Sequence, residues 1–119
     1  MTYINKNGHV IAVVNPDVNI DGTQELLDLF ATAWYDGGSD RLIVYKESLS
    51  EDFFDLKTGV AGELLQKCSN YRMHFAIVGD FSHYTSKSLR NFIYESNKGR
   101  LIFFTGNLAS AVAALVKDG

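Results

Sequence analysis

The chain has little of what an exported protein or a nucleic-acid-binding protein needs. Its 119 residues include a single cysteine, Cys68, so no intramolecular disulfide can form and nothing indicates an oxidising compartment. Lysine and arginine number 11 against 14 acidic residues, and the net charge is -3. Proteins that bind nucleic acid depend on clustered basic side chains to neutralise phosphates. We therefore expect a cytoplasmic protein that does not bind nucleic acid.

Long hydrophobic runs are also missing. The apolar stretch Val10–Val14 near the amino terminus is far too short to cross a bilayer, and it lacks the charged-then-apolar layout of a signal peptide. We expect no membrane association. What the chain does contain is 46% hydrophobic and 13% aromatic residues, enough for one packed core. This composition and length predict a single domain over residues 1–119.

Charge is unevenly distributed along the chain. Residues 1–65 hold four basic and eleven acidic side chains, a balance of -7, whereas residues 66–119 hold seven and three, a balance of +4. One acidic and one basic face would favour head-to-tail or self-complementary association with another copy. The alternative is that these charges only solvate helix surfaces, where ion pairs contribute little.

The first part of the chain predicts a hairpin and then a helix. Asn7-Gly8 separates two apolar segments, and this dipeptide accepts the positive φ angles of a type I′ turn. After a polar loop, apolar residues recur at spacings of three and four and predict a helix that runs to about Tyr35. The broad stripe that we expect to face the core comprises Leu26, Phe30 and Ala33 together with Leu27, Ala31 and Trp34.

Two helix starts have the spacing of a capping box, in which a polar side chain and a residue three positions later satisfy each other's backbone N–H groups. Asp21 with Gln24 predicts the start of the first helix. Ser48 with Glu51 predicts the start of a second, long helix that runs to about Asn70. The solid apolar strand 42–45 lies between them.

The remaining segments predict strand 73–78, helix 85–97, strand 101–105 and a last helix that Asn107 caps. The resulting order is ββαβαβαβα. Solid apolar strands are typical of parallel sheets covered by helices, so the fold class is α/β, one layered domain with a mixed, mostly parallel sheet. Right-handed crossovers make the later strands parallel and leave the first hairpin strand antiparallel, at an edge.

Ligands of open α/β sheets bind beyond the carboxyl ends of the parallel strands. The loops there are expected to be 15–22, 46–50, 79–86 and 105–107. They supply Asp17, Asp21, Glu47, Ser48, Asp80, Ser82, His83, Thr85, Ser86 and Asn107. Loops are usually polar for reasons of solvation alone, so this density of polar groups indicates a region rather than a site.

The most specific local pattern is residues 79–88, which leave a strand and open a helix. Free N–H groups at a helix start, hydroxyls and a lysine can hold an anion or another small ligand. A phosphate-binding loop needs a glycine before its lysine, and Ser86 stands there. The alternative is ordinary N-capping by Thr85 or Ser86. The candidate ligand-binding residues are Asp80, Ser82, His83, Ser86, Lys87 and Ser88.

No complete catalytic, metal or cofactor motif is present in the sequence. Asp80 and His83 have the chemistry of an acid and a base, but no local pattern supplies a nucleophile or an orienting partner. The three histidines have no ligand spacing. Cys68 lacks the cationic setting that lowers a thiol pKa, so we expect it to pack in the core. We therefore expect no cofactor, no metal and no catalytic residue.

One segment resembles a known family. Residues 51–104, EDFFDLKTGVAGELLQKCSNYRMHFAIVGDFSHYTSKSLRNFIYESNKGRLIFF, are similar to a bacterial family classified as a domain of unknown function, number four-one-eight-zero. The resemblance extends over nearly the whole chain. It implies a small cytosolic bacterial protein and assigns no activity.

The element order resembles that of STAS domains, the anti-sigma-factor antagonists. These regulatory modules bind partner proteins and are switched by phosphorylation of a serine at the start of a central helix. Their helix opens with Asp-Ser-x-Gly-Leu, and placing its glycine on Gly59 puts Lys57 where the serine would be. Ser48 and Ser50, near the predicted helix start, are then the candidate phosphorylation sites, because phosphate there would meet the helix dipole favourably.

These observations lead to two hypotheses. The first is a non-enzymatic, cytosolic, STAS-like module that binds another protein or a second copy of itself. The second is a small-molecule or anion-binding protein, conceivably an enzyme, that uses residues 79–88.

Overall fold

The structure, a computed structural model that describes residues 1–117, is a sheet covered by helices on both faces. Over these residues the strands are β1 Thr2–Lys6, β2 His9–Val13, β3 Arg41–Tyr45, β4 His74–Val78 and β5 Ile102–Thr105. The α-helices are α1 Thr23–Gly37, α2 Val60–Tyr71, α3 Lys87–Lys98 and α4 Leu108–Val116. The predicted order ββαβαβαβα is confirmed.

The N-terminal hairpin forms as predicted. Asn7 and Gly8 have φ angles of 52° and 80°, and the turn that they make pairs Lys6 with His9. β1 runs antiparallel to β2 and lies at an edge of the sheet. The dipeptide therefore sets the register of the whole hairpin, because a two-residue turn leaves no other pairing.

The strands lie in the order in which they occur in the chain, β1-β2-β3-β4-β5, and β2 to β5 are parallel. Since every right-handed crossover steps in the same direction, α1, α2 and α3 all fall on one face. α4 follows the last strand and packs on the opposite face, mainly against β4 and β5. The mixed, mostly parallel α/β sheet is thus confirmed.

Two hydrophobic layers result from this arrangement. The three-helix layer joins α1, α2 and α3 to the sheet residues Ala12, Val14, Leu42, Val44, Phe75, Ile77, Ile102 and Phe104. The single-helix layer joins α4 to the alternate sheet residues Ile11, Ile43, Ala76 and Val78. This alternation is the period-two pattern of a strand buried on both faces.

The capping box predicted for α1 is wrong. Gly22 is the N-cap, no side chain caps the helix, and the carboxylate of Glu25 accepts the backbone N–H of Asp21 at 2.6 Å. A negative group in the first turn is favoured by the helix dipole, so Glu25 replaces both predicted partners. The core stripe is confirmed for Leu26, Phe30 and Ala33, whereas Ala31 and Trp34 are exposed.

The long helix predicted from Ser48 to Asn70 is also wrong in its first part. Residues 46–58 form three short 3₁₀ turns, and α2 begins only at Val60. Phe53 and Phe54 are both buried there, and the ring of Phe54 packs against Phe81 and Tyr84 from the loop after β4. Gly59, with a φ of 78°, then changes the chain direction before α2.

The caps of the last two helices follow the sequence. The Ser86 hydroxyl accepts the Leu89 N–H at 3.2 Å at the start of α3. The Asn107 side chain accepts the Ser110 N–H at 2.8 Å at the start of α4. Both side chains satisfy backbone donors that a helix start leaves unpaired.

Candidate functional site

The loops after β3 and β4 meet at the carboxyl edge of the sheet, as predicted. Lys46, directly after β3, places its Nζ 5.6 Å from the ring centre of Phe54 and 5.2 Å from that of Tyr84. The two rings are stacked with centroids 5.2 Å apart. We call Lys46, Glu51, Phe54, Asp80 and Tyr84 the Lys46 cluster. A lysine held over two aromatic faces is attracted by their quadrupoles, which fixes an otherwise flexible side chain.

Gly79 makes room for this arrangement. A Cβ built on Gly79 would lie 2.5 Å from the Cβ of Lys46, closer than any real contact. The stem of Lys46 therefore crosses directly over the backbone of Gly79. The glycine predicted to begin the ligand loop acts here as a close-approach position between the ends of β3 and β4.

Asp80 and its neighbours form the tip of the loop. The Asp80 carboxylate accepts the Ser82 N–H at 2.9 Å. Hydrogen bonds from Ser82 are the main cause that lowers the pKa of Asp80 below its ordinary value, and the nearby charges of His83 and Lys46 add to this. Asp80 is therefore a carboxylate at neutral pH, suited to accepting hydrogen bonds or pairing with a cation rather than donating a proton.

The pKa of Tyr84 is shifted in the opposite direction, upward. Its hydroxyl donates to the Glu51 carboxylate at 3.3 Å. Desolvation, together with the negative charge of Glu51, raises the pKa of Tyr84 to about 12. The phenol stays protonated at neutral pH. His83 packs on its ring with centroids 4.1 Å apart, so His83 and Tyr84 form one stacked unit with Phe54.

The structure separates the predicted ligand-binding residues into two groups. Asp80, Ser82 and His83 lie together at the loop tip beside Lys46. Ser86 uses its hydroxyl as the cap of α3, and Lys87 and Ser88 project from the first turn of that helix with exposed side chains. The N-capping alternative is confirmed for Ser86.

The two candidate phosphorylation sites lie in the 3₁₀ segment. Ser48 is 3% exposed, and its hydroxyl donates to the Pro16 carbonyl at 3.0 Å. Ser50 is half-buried next to an isolated bridge between Ile20 and Leu49. Neither serine begins an α-helix, because α2 starts at Val60. A kinase could reach the Ser48 hydroxyl only if this loop opened.

Sequence reasoning missed Lys46, Glu51 and Phe54. Lys46 follows β3 at once, and a cationic residue at the carboxyl end of a central strand was the available signal. Phe54 and Glu51 were assigned to a long helix, so their contacts with Tyr84 in the loop after β4 were not predicted.

A second feature that the sequence did not reveal is an open cleft of about 740 Å³ between α1 and the end of α2. We call it the aromatic cleft. Trp34 and Tyr71 line it, and their side chains are 60% and 63% exposed. Its apolar lining includes Leu27, Phe30 and Met73, and its charged lining is Asp28, Asp40, Lys67 and Arg72. Trp34 continued the apolar stripe of α1, so the pattern indicated a core residue, whereas in the structure it lines this open cleft.

Comparison with known proteins identifies the family. The model of a family described as a domain of unknown function, DUF4180, matches residues 5–115. The chain belongs to the DUF4180 family. No curated protein and no solved structure matches it significantly.

None of the helices within residues 1–117 is long and apolar enough to cross a membrane. Over the same residues, His, Cys, Asp and Glu side chains do not gather in groups of three or more that could hold a metal ion.

Proposed function

We propose that this DUF4180 domain is a non-enzymatic, cytoplasmic regulatory module that binds another protein through the aromatic cleft. The observation that carries the proposal is the pair of exposed aromatic side chains, Trp34 and Tyr71, on the two walls of one cleft. Large apolar side chains are costly to leave in water, and tryptophan and tyrosine are the residues that most often dominate binding energy at protein interfaces.

The lining of the cleft indicates the chemistry of the partner. Leu27 and Met73 are half-buried and offer apolar contact between the two aromatic walls. Asp28 lies on the α1 wall, whereas Lys67 and Arg72 lie on the α2 wall. A fitting partner presents an apolar anchor side chain, with a basic residue toward α1 and an acidic residue toward α2.

The element order supports a regulatory role. It is the order of STAS domains, which act by binding partner proteins, although this likeness is one of architecture. A buried free thiol at Cys68 fits a reducing compartment.

The test is quantitative capture from the native host at cytosolic salt with the parent protein, the double variant Trp34→Ala/Tyr71→Ala, and the control Tyr94→Ala. Tyr94 on α3 is 60% exposed and lies outside the cleft, so its loss removes a comparable exposed ring. We expect a stoichiometric partner with the parent and the control, and its loss with the double variant. Recovery of the same partner by all three proteins, or of no partner by the parent, would contradict the proposal.

The second candidate function is the binding of an anion or other small molecule at Asp80, Ser82, His83, Ser86, Lys87 and Ser88. The observation that favours it is the position of Lys46, whose charge acts on Asp80 beside these residues. Against it, Asp80 and Glu51 place two carboxylates in the same cluster. A neutral or zwitterionic molecule suits this mixture of charges better than a phosphate does.

A thermal-shift screen over nucleotides, phosphates, amino acids and sugars tests this function. A ligand at a hundred times its dissociation constant adds about 2.7 kcal/mol of stability, which raises a melting temperature by several degrees. We expect Lys46→Ala and Lys87→Ala to reduce the shift and Lys57→Ala, another exposed lysine, to leave it unchanged. Absence of any shift, or equal shifts in all variants, would remove this candidate.

A further inference from the structure

The two edges of the sheet differ in how their outward backbone groups are satisfied. At the β5 edge, the side-chain amide of Asn97 binds both backbone groups of Phe104, the N–H and the C=O. Its oxygen accepts the Phe104 N–H at 2.7 Å, and its nitrogen donates to the Phe104 carbonyl at 3.2 Å. Asn97 thus occupies the place of a neighbouring strand at Phe104, where it obstructs pairing of another strand with β5.

The β1 edge has no such cover. The two-residue turn makes Lys6 and His9 a hydrogen-bonded pair, so Thr2, Ile4 and Lys6 direct their backbone groups to β2. The N–H and C=O groups of Tyr3 and Asn5 must then point away from the sheet. Within residues 1–117 these outward groups make no hydrogen bond. Two residues of β1 therefore present four unsatisfied backbone groups in a row.

We propose that the β1 edge binds the β1 edge of a second copy of this chain, antiparallel and centred on Ile4. In this register Tyr3 of each copy faces Asn5 of the other, and each such pair exchanges two N–H to C=O hydrogen bonds. All outward groups of Tyr3 and Asn5 in both copies are satisfied, and the two sheets become one continuous sheet. The interface is isologous, because the same strand serves both partners.

A second copy fits this edge better than a foreign strand because the pattern is self-complementary. The outward residues lie symmetrically about Ile4, and Lys6 of one copy lies opposite Thr2 of the other, so no like charges face each other. Pairing of β1 with β5 of another molecule would build an open filament, and Asn97 obstructs that pairing at Phe104. The assembly therefore stops at two.

The side chain of Ile4 adds an apolar contact on the symmetry axis. It is half-buried at the margin of the single-helix layer, where it packs against the buried residues of that layer beside its β2 partner Ile11. In the proposed dimer the two Ile4 side chains lie opposite each other as a non-hydrogen-bonded pair, with Cα atoms about 4.5 Å apart. The second copy therefore buries apolar surface at the margin of the sheet that α4 does not cover.

The decisive test is oxidative cross-linking of Ile4→Cys against the control Lys6→Cys. A Cα separation of about 4.5 Å permits a disulfide between two cysteines at position 4, whereas position 6 faces Thr2 of the other copy. Cys68 does not interfere, since it is buried and its pKa is about 12. We expect cross-linked dimer from Ile4→Cys only. Lys6 is the more exposed position, so random collisions would favour the control instead, and that outcome would overturn the proposal.

Asn5→Pro provides a second test by equilibrium sedimentation. Proline removes the outward N–H of residue 5 and leaves the bonds to β2 intact, while the control Asn5→Thr keeps that N–H. We expect the parent and Asn5→Thr to associate reversibly, and Asn5→Pro to associate at least about tenfold more weakly, because it loses two hydrogen bonds of the interface. Equal association of all three would also overturn the proposal.

Hydrogen exchange of the parent protein keeps the proposal testable if Asn5→Pro fails to fold. The amides of Tyr3 and Asn5 should be protected in concentrated samples and unprotected in dilute ones, while the amide of Ile4, bonded to β2, should not depend on concentration. Concentration-independent exchange at all three amides would contradict the dimer. The proposal does not rest on the aromatic cleft, and none of these readouts involves it.

Discussion

The two faces of the sheet are covered to very different extents. Three helices, α1, α2 and α3, cover one face, and α4, with nine residues, covers the other. On the three-helix face the central strands present the large side chains of Leu42, Phe75 and Ile77, all 0% exposed. On the α4 face Ala76 occupies the centre, and Ile4, Val13, Tyr45 and Phe103 remain half-buried at the margins.

The difference follows from the sequential strand order. Each crossover returns over the same face, and within residues 1–117 the helix that covers the other face is the one after β5. α4 compensates by close approach, since the buried Ala111 and Ala76 let its backbone lie near the sheet. We infer that stability resides mainly in the three-helix layer, and that the α4 face keeps apolar surface for association.

The largest effect is expected from truncating the centre of the three-helix layer. Phe75→Ala removes a fully buried ring that packs 5.9 Å from Phe30, and we expect a loss of unfolding free energy of about 3–5 kcal/mol. Phe103→Ala is the matched change on the α4 face. Its ring is half-buried, so about 1 kcal/mol is expected. Urea unfolding measures both, and equal losses would abolish the distinction between the layers.

The second-largest effect that we expect is a dependence of the unfolding free energy on pH, which arises from a side chain in the three-helix layer. Burial raises the pKa of Cys68 on α2 from 9.0 to about 12, so the unfolded chain releases this proton first as pH rises. The stability that this thiol contributes is complete below pH 9.0 and is lost toward pH 12, by up to about 1.4 kcal/mol per pH unit.

Urea unfolding at increasing pH checks this dependence, with Cys68→Ala as the control. The control should decline less steeply above pH 9.0. A smaller slope should remain in it, because the pKa of Tyr84 is raised from 10.0 to about 12 in the same direction. Identical slopes for the parent and the control would show that burial does not raise the pKa of Cys68 in the folded protein.

The smallest effect is expected from filling the α4 contact. Ala111→Leu adds volume where α4 approaches the sheet, and overpacking should cost about 1–3 kcal/mol. Ala113→Leu, on the exposed side of the same helix, should change stability by less than about 0.5 kcal/mol. Thermal unfolding of the two variants provides the comparison. If Ala111→Leu raised the melting temperature instead, the α4 layer would be loosely packed. The two faces of the sheet would then differ in packing density as well as in the number of helices that cover them.

Local sequence patterns predicted much of the fold. Asn7-Gly8 determined the hairpin, solid apolar runs identified the strands, and Ser86 and Asn107 marked two helix starts. The error from Ser48 to Gly59 has a physical cause: acidic residues after a serine suit an α-helix, but in the folded chain Phe54 packs against Phe81 and Tyr84, which are distant in sequence. That tertiary demand cannot be seen in a local window.

The candidate sites were less predictable because they join distant segments. The loop at 79–88 was found from its own residues, whereas its contacts with Lys46 and Glu51 depend on how residues 46–58 turn. The aromatic cleft was hidden for a similar reason. Trp34 has the spacing of a core residue, and only the folded chain shows that it lines an open cleft with Tyr71, which is distant in sequence.

The match between strand order and chain order also bears on how the protein is made. Since each new strand adds beside the one before it, no segment has to be inserted between two that are already in place. Contacts between neighbouring strands stay short in sequence, which favours rapid folding. During synthesis the layer can grow outward from the hairpin one unit at a time, and α4 then covers the opposite face of the sheet.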